Sequence, residues 1–230
     1  ITLFAFGTPL ITEAGVYAYD TSPWRRYALS TRGHSTVRVD GQDQNCRRSP
    51  DEYLATRPDT HAFFDTDTFC YAADKHTAGY GEPPQKTVIH RRRILFVKPD
   101  YWIVVDDFAA ADDAEHRAEA HFLLNAEDAY VSPTLAGIST DQGGGRIAVY
   151  PLRRSGLTVR IAKGETEPEV RGFIPEGFNR LRPAPALLYA LCFRGRGQMA
   201  FALVPFSGDT CPFSITDAVV DGAGFTVDVT

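Results

Sequence analysis

Beyond residue 86, apolar residues recur at every second position through most of the chain. This two-residue period predicts β-strands with one face buried, over residues 86–97, 101–108, 115–124, 146–152, 157–163, 186–194, 198–205 and 224–229. Val, Ile, Phe and Tyr dominate these runs, as a pleated, half-buried surface favours. Lys98-Pro99-Asp100, Gly195-Arg196-Gly197 and Asp221-Gly222-Ala223-Gly224 punctuate them as tight turns. Ile1–Phe6 reads as a further strand. Helical periodicity is scarce. Residues 112–120 are rich in Ala and Glu, but they read as a loop entering the strand that ends at Leu124. The pattern predicts an all-β fold, an antiparallel β-sandwich of long strands. With no internal repeat or linker, residues 1–230 read as one domain.

Composition narrows the function classes. A net charge of −5 lacks the basic excess that phosphate neutralisation demands, so nucleic acid is not the expected partner. No apolar run approaches the roughly 18 residues of a membrane span. No signal peptide is visible, which says little, because Ile1 is not a natural start and the chain reads as trimmed, leaving room upstream for any targeting segment. Cys46, Cys70, Cys192 and Cys211 form no CxxC pair, which argues against a zinc knuckle or thioredoxin-type site. Cys70 and Cys192 sit in apolar strand patterns and read as buried thiols.

The N-terminal quarter departs from the strand pattern. Residues 13–57 are crowded with polar, aromatic and basic side chains, the composition of long loops that carry function. In Ser22-Pro23-Trp24-Arg25-Arg26-Tyr27 and the following stretch through Arg32, aromatics interleave with arginines. Aromatic faces stack on sugar rings, and guanidinium forks pair with carboxylate or sulfate. Trp24, Arg25, Arg26 and Arg32 are therefore candidate contacts for an acidic polysaccharide. The competing reading, which composition alone favours, is a surface loop with solvated arginines and one anchoring Trp. Glu13, at the end of an apolar strand, and His34, before the next, are two potential metal donors, short of the three or four a zinc site needs. His90, Arg92 and Arg91, Arg93 alternate between faces of one strand, and Asp106-Asp107 ends the next; ion pairing across that hairpin is the expected role. His121 alternates with core residues and reads as structural.

Several segments, in order, resemble the C-terminal β-sandwich of the heparinase II/III-like polysaccharide lyases: Leu3–Gly7 with Pro9-Leu10-Ile11-Thr12-Glu13-Ala14-Gly15, Tyr17–Tyr27, Ser30–Gln44, and His90–Asp107. The stretch around His34 is the most diagnostic, and beyond about residue 125 the resemblance is architectural. It implies an upstream α/α toroid, an active site between the two domains, and cleavage of uronic-acid polysaccharides, heparin/heparan-sulfate-like or alginate-like, by β-elimination. A Tyr or His base removes the C5 proton, and Tyr17 and Tyr19 are this chain's catalytic candidates. It also implies a structural zinc, with ligands at the Glu13 and His34 positions and a His upstream of Ile1. Glu13 stands where the family uses Asp, and Ser35 where it uses Asn, so the Glu13 carboxylate is expected to be displaced. A bacterial, periplasmic or secreted setting is implied as well.

Three readings follow: a lyase domain supplying substrate contacts and part of a metal site, with the chain alone inactive; a non-catalytic carbohydrate-binding or scaffold module; or a structural sandwich of an inactive enzyme. The upstream sequence discriminates them.

Overall fold

The structure is a computed structural model that describes residues 1–45, 61–82, 84–141 and 143–211, together with the backbone of two terminal strands at 215–220 and 225–229. Cys46, the end of the polar N-terminal quarter and the predicted turn at Asp221–Gly224 lie outside the described residues.

Two antiparallel sheets face each other. The first is six-stranded, with β1 (Leu3–Ala5), β2 (Thr8–Thr12), β8 (His116–Leu124), β15 (Ala186–Phe193) and β12 (Leu157–Ala162) in that order, and β3 (Val37–Val39) also on β8. The second has eight strands: β4 (Ala62–Asp65), β5 (Phe69–His76), β6 (Val88–Val97), β7 (Tyr101–Ala110), β16 (Arg196–Phe206), β11 (Arg146–Pro151), β10 (Gly137–Ser139) and β9 (Ala129–Val131). Two hairpins stand apart, β13–β14 (Phe173–Gly177, Arg180–Pro183) and β17–β18 (Ile215–Val220, Phe225–Val229). The predicted antiparallel sandwich is the observed architecture. Among the described residues no helix is long and apolar enough to cross a membrane.

Alternation decides what lies between the sheets. Val104 and Phe108 of β7, Phe122 and Leu124 of β8, Tyr189 of β15 and Phe201 of β16 point inward and form one cluster. Phe122 meets Phe201 edge-on at 5.0 Å, and Tyr189 lies 4.8 Å from Phe201. Burying each such ring contributes about 1.5–3 kcal/mol. The Tyr189 hydroxyl stays satisfied, donating toward the Leu135 and Val149 carbonyls and accepting from the Gly137 amide at 3.0 Å. Leu123 and Leu188 project to the outer face of the first sheet, where Tyr27, Phe173 and Ile174 cover them.

Three expectations need correction. Residues 23–29, read as loop, form a helix, α1 (Pro23–Leu29). Its start was written in the sequence: Ser22 accepts a hydrogen bond from the Arg25 amide at 3.2 Å, and Pro23 occupies a first-turn position where its missing N–H costs nothing. Strands β4, β5, β9, β10, β13, β14 and β17 were not foreseen: most are too short to show alternation, and the eight residues of β5, Phe69-Cys70-Tyr71-Ala72-Ala73-Asp74-Lys75-His76, do not alternate. Cys192 is exposed and Cys70 half-buried rather than buried, and both are free thiols, as is Cys211. On the outer face of β15 the covering cluster reaches Leu188 but not Cys192.

Candidate functional site

Strand β8 organises the site. On one side it pairs with both β2 and β3, Ile11 opposite Leu124, Thr12 opposite Leu123, and Val37 opposite Ala120. The intervening 13–36 segment is therefore an excursion clamped at both ends against one strand. Ser35 locks the closure: its hydroxyl donates to the Thr12 carbonyl at 3.2 Å and accepts from the Leu123 amide at 3.1 Å. The Ala14 amide donates to the Gly33 carbonyl at 2.7 Å. Gly33 is required by space, since a Cβ there would stand 2.6 Å from the Tyr27 carbonyl oxygen.

This closure brings Glu13 and His34 together. His34 Nδ1 lies 2.9 Å from Glu13 Oε2, with side-chain exposures of 36% and 34% that leave both open to solvent on one side. Burial pushes the Glu13 carboxyl up, and the hydrogen bond from His34 pulls it down. An Nδ1–H donated to the carboxylate assigns the tautomer in which Nε2 carries the lone pair, the atom that would hold a metal or take a proton. A cation shared by Nδ1 and Oε2 would have to displace that hydrogen and hold the two atoms roughly 3.3 Å apart, so the 2.9 Å contact is a hydrogen bond and not the spacing of two zinc ligands. The donor count also falls short: among the described residues no group of three or more His, Cys, Asp and Glu gathers. These residues alone do not make a zinc centre.

The other candidates lie on the same excursion. Tyr19 is 85% exposed, with the Arg25 guanidinium 5.3 Å from its ring centre. Tyr17 is half-buried against the outer cluster, and its carbonyl accepts from the Asn179 amide at 3.0 Å. Neither phenol has a hydrogen-bond partner among the described residues. Trp24 is an anchor, meeting Phe173 edge-on at 4.9 Å. Arg25 donates to the Val16 carbonyl at 2.6 Å and Arg26 to that of Thr21, so both arginines brace the loop preceding their helix. Tyr27, missed in the sequence, fixes α1 to the β13–β14 hairpin: its hydroxyl donates to the Phe173 carbonyl at 2.9 Å, and burial pushes its pKa up to about 12.

Arg32 is paired with Glu169 inside a charge network that also escaped the sequence reading. Glu169 accepts from Arg38 at 2.8 Å and from Arg171, and Arg171 reaches Glu119 at 2.7 Å. Glu119 accepts from His121 at 3.0 Å. Desolvation raises the two carboxyls, but His121 and Arg171 hold Glu119 well below the carboxylate range, and Arg38, Arg171 and Arg32 hold Glu169 down to about 2. His121 is buried and its pKa is lowered, chiefly by desolvation. The available signal was periodic: Arg117, Glu119 and His121 share one face of β8, opposite Arg38 on β3. A second buried cluster lies on β6 and β7. Asp106 meets His90 at 2.6 Å and takes a two-pronged contact from Arg92 at 2.7 and 2.9 Å. Asp107 pairs with Arg93 on the opposite face at 2.9 Å. The expected cross-hairpin pairing is observed.

The sequence profile of the family described as heparinase II/III-like, C-terminal, matches residues 1–211. No curated protein matches in sequence. Among solved structures, heparan sulfate lyase HepC from Pedobacter heparinus superposes with a TM-score of 0.77 at 15% identity, covering 100% of this chain and 36% of that one. A heparinase III gene product gives 0.74 at 14%, covering 97% and 33%. A further heparinase III gives 0.73 at 15%, covering 99% and 33%. The chain thus spans about a third of the solved chains it resembles.

Proposed function

The chain belongs to the heparinase II/III-like C-terminal family, and from that premise we propose that it is the β-sandwich domain of a lyase that cleaves a uronic-acid polysaccharide by β-elimination. Heparan sulfate is the leading substrate class and alginate the alternative; the parent protein is read as bacterial and secreted or periplasmic. The observation that carries the proposal is the Glu13–His34 contact at 2.9 Å, half-open to solvent and clamped onto β8. Structural pairs are normally closed off; this one keeps the second ring nitrogen without a hydrogen bond among the described residues.

The reaction removes the proton at C5 of the uronate, and the electrons expel the bridging oxygen at C4. The C6 carboxylate must be neutralised for that proton to become acidic, and the leaving oxygen must be protonated. Glu13 is proposed to orient His34 through Nδ1, so that Nε2 is the donor the pair offers to a composite centre completed by groups outside the described residues. No step is derived through a metal. Tyr19 is proposed to meet substrate and Tyr17 to support it. Trp24, Arg25 and Arg26 hold the rim that carries them, and Arg32 holds it through Glu169. Base, acid and neutraliser must converge in one cleft, so this chain alone is expected to be inactive.

The test is release of the unsaturated uronate, followed by its ultraviolet absorbance. The full-length protein should produce it from heparan sulfate or alginate, and this chain alone should not. Binding of either glycan by the full-length protein without any turnover would favour a carbohydrate-binding module instead.

A further inference from the structure

A cavity of about 730 Å³ opens where the outer face of β6, β7 and β16 meets the β11–β12 connection and the end of β15. That volume lies in the range of small-ligand sites. Its charge is unlike the rest of the molecule. Lys75, Arg91, Arg93, Arg153 and Arg196 line it against a single carboxylate, Asp107, in a chain whose net charge is −5. Asp107 is already used, by Arg93 at 2.9 Å and by the Gln198 amide at 2.8 Å. Arg153 is held by the Gln198 carbonyl oxygen at 3.0 Å.

Lys75, Arg91 and Arg196 are left over. None has a side-chain ion pair or hydrogen bond among the described residues. Lys75 and Arg196 are exposed, and the Arg91 Nε is buried with no acceptor. A buried guanidinium N–H without a partner is costly, and an anion seated in the cavity would repay it. Apolar walls stand beside these cations: Ile89, Leu191 and the ring of Phe193. Cations beside apolar surface suit a charged sugar better than a bare ion, because a pyranose presents C–H faces as well as anionic groups. Alternation places the cavity on the face of β6 opposite Arg92, which reaches the Ser35 carbonyl next to His34 at 2.7 Å.

We propose that this cavity is a further saccharide-binding site, in which Lys75, Arg91 and Arg196 take a sulfate or carboxylate of an acidic glycan. The assignment rests on the reading of the parent protein as acting on an acidic polysaccharide.

Cys192 is exposed and lines the cavity, so it reports occupancy directly. In the full-length protein, the rate of Cys192 alkylation by iodoacetamide is followed by peptide mass spectrometry, alone and with a heparin-derived tetrasaccharide, maltotetraose or inorganic sulfate. The acidic tetrasaccharide should slow alkylation about tenfold at saturation, the result of steric and charge exclusion from an occupied pocket. K75A/R196A, whose side chains are exposed, should return the rate at the same tetrasaccharide concentration to its unliganded value, with the thermal midpoint unchanged. No slowing, equal slowing by maltotetraose, or equal slowing in the double variant overturns the site. Equal slowing by inorganic sulfate at the same concentration overturns the saccharide and leaves a simple anion site. Uronate absorbance is read in parallel: turnover without protection removes this site alone, and protection without turnover removes the lyase reading alone.

Discussion

Two histidine–carboxylate pairs in this domain have the same chemistry and opposite surroundings. His90–Asp106 is closed: the atoms are 2.6 Å apart, the side chains are 3% and 0% exposed, and Arg92 fills the carboxylate's remaining valence. His34–Glu13 is open: 2.9 Å apart, with 36% and 34% exposure and no further hydrogen bond to the imidazole among the described residues. Residue type cannot separate the two. Burial and the completeness of the hydrogen-bonding set can: they assign the first to holding β6 against β7, and leave the second as the pair to which the proposed function gives work at the surface.

The largest test of that contrast is Asp106→Ala. It leaves His90 and Arg92 buried without their anion, which should cost about 3–5 kcal/mol. Glu13→Gln should cost no more than about 1 kcal/mol, the scale of a half-exposed pair. Urea unfolding of the two variants reads the difference directly, and equal losses would erase the distinction between closed and open pairs.

Acid should act on the closed networks next. Asp106, Glu119 and Glu169 have carboxyls held below their ordinary values in the folded state. A depressed folded pKa contributes stability that is present above the unfolded value and is lost as pH falls through the folded one. His121 is lowered and His116 is raised, mainly by its bonds to Asp40 and Asp112 working against desolvation. Acid protonation below the ordinary 6.5 costs stability at His121, whereas the His116 contribution is full there and fades as pH rises. The two oppose each other near neutrality, so the carboxylates set the acid limb. The urea midpoint should change little from pH 7 to about 5, then fall steeply between the ordinary glutamate value of 4.5 and the Glu169 value of about 2. A midpoint still flat at pH 3 would contradict the network.

Gly33→Ala should cost about 1–3 kcal/mol, because the new methyl must displace the Tyr27 carbonyl in a tightly closed turn. It should also shift the His34 ring resonances in NMR spectra. Unchanged His34 shifts would mean that the excursion is not held by this contact.

Much of this was readable in the sequence where one pattern repeated over many residues. β6, β7, β8, β15 and β16 are long enough for alternation to show, and the cross-hairpin use of Asp106 and Asp107 followed from it. Helix α1 was missed although Ser22-Pro23 announces a cap, because its seven residues show no helical period. The Glu119–Arg171–Glu169–Arg38 network joins residues more than 130 positions apart in sequence, such as Arg38 and Glu169, and no local pattern encodes that. The meeting of Glu13 with His34 depends on β2 and β3 sharing β8, a matter of topology. It was reached by resemblance, not by spacing.

The central claim, that the open Glu13–His34 pair is the functional one, is tested most directly by steady-state kinetics of His34→Ala in the full-length protein with heparan sulfate, measured beside its thermal midpoint. Loss of a residue handling a proton or a ligand in the reaction should lower kcat/KM by about 100-fold or more, with a midpoint within a few degrees of the parent. A kcat/KM within twofold of the parent would contradict the account.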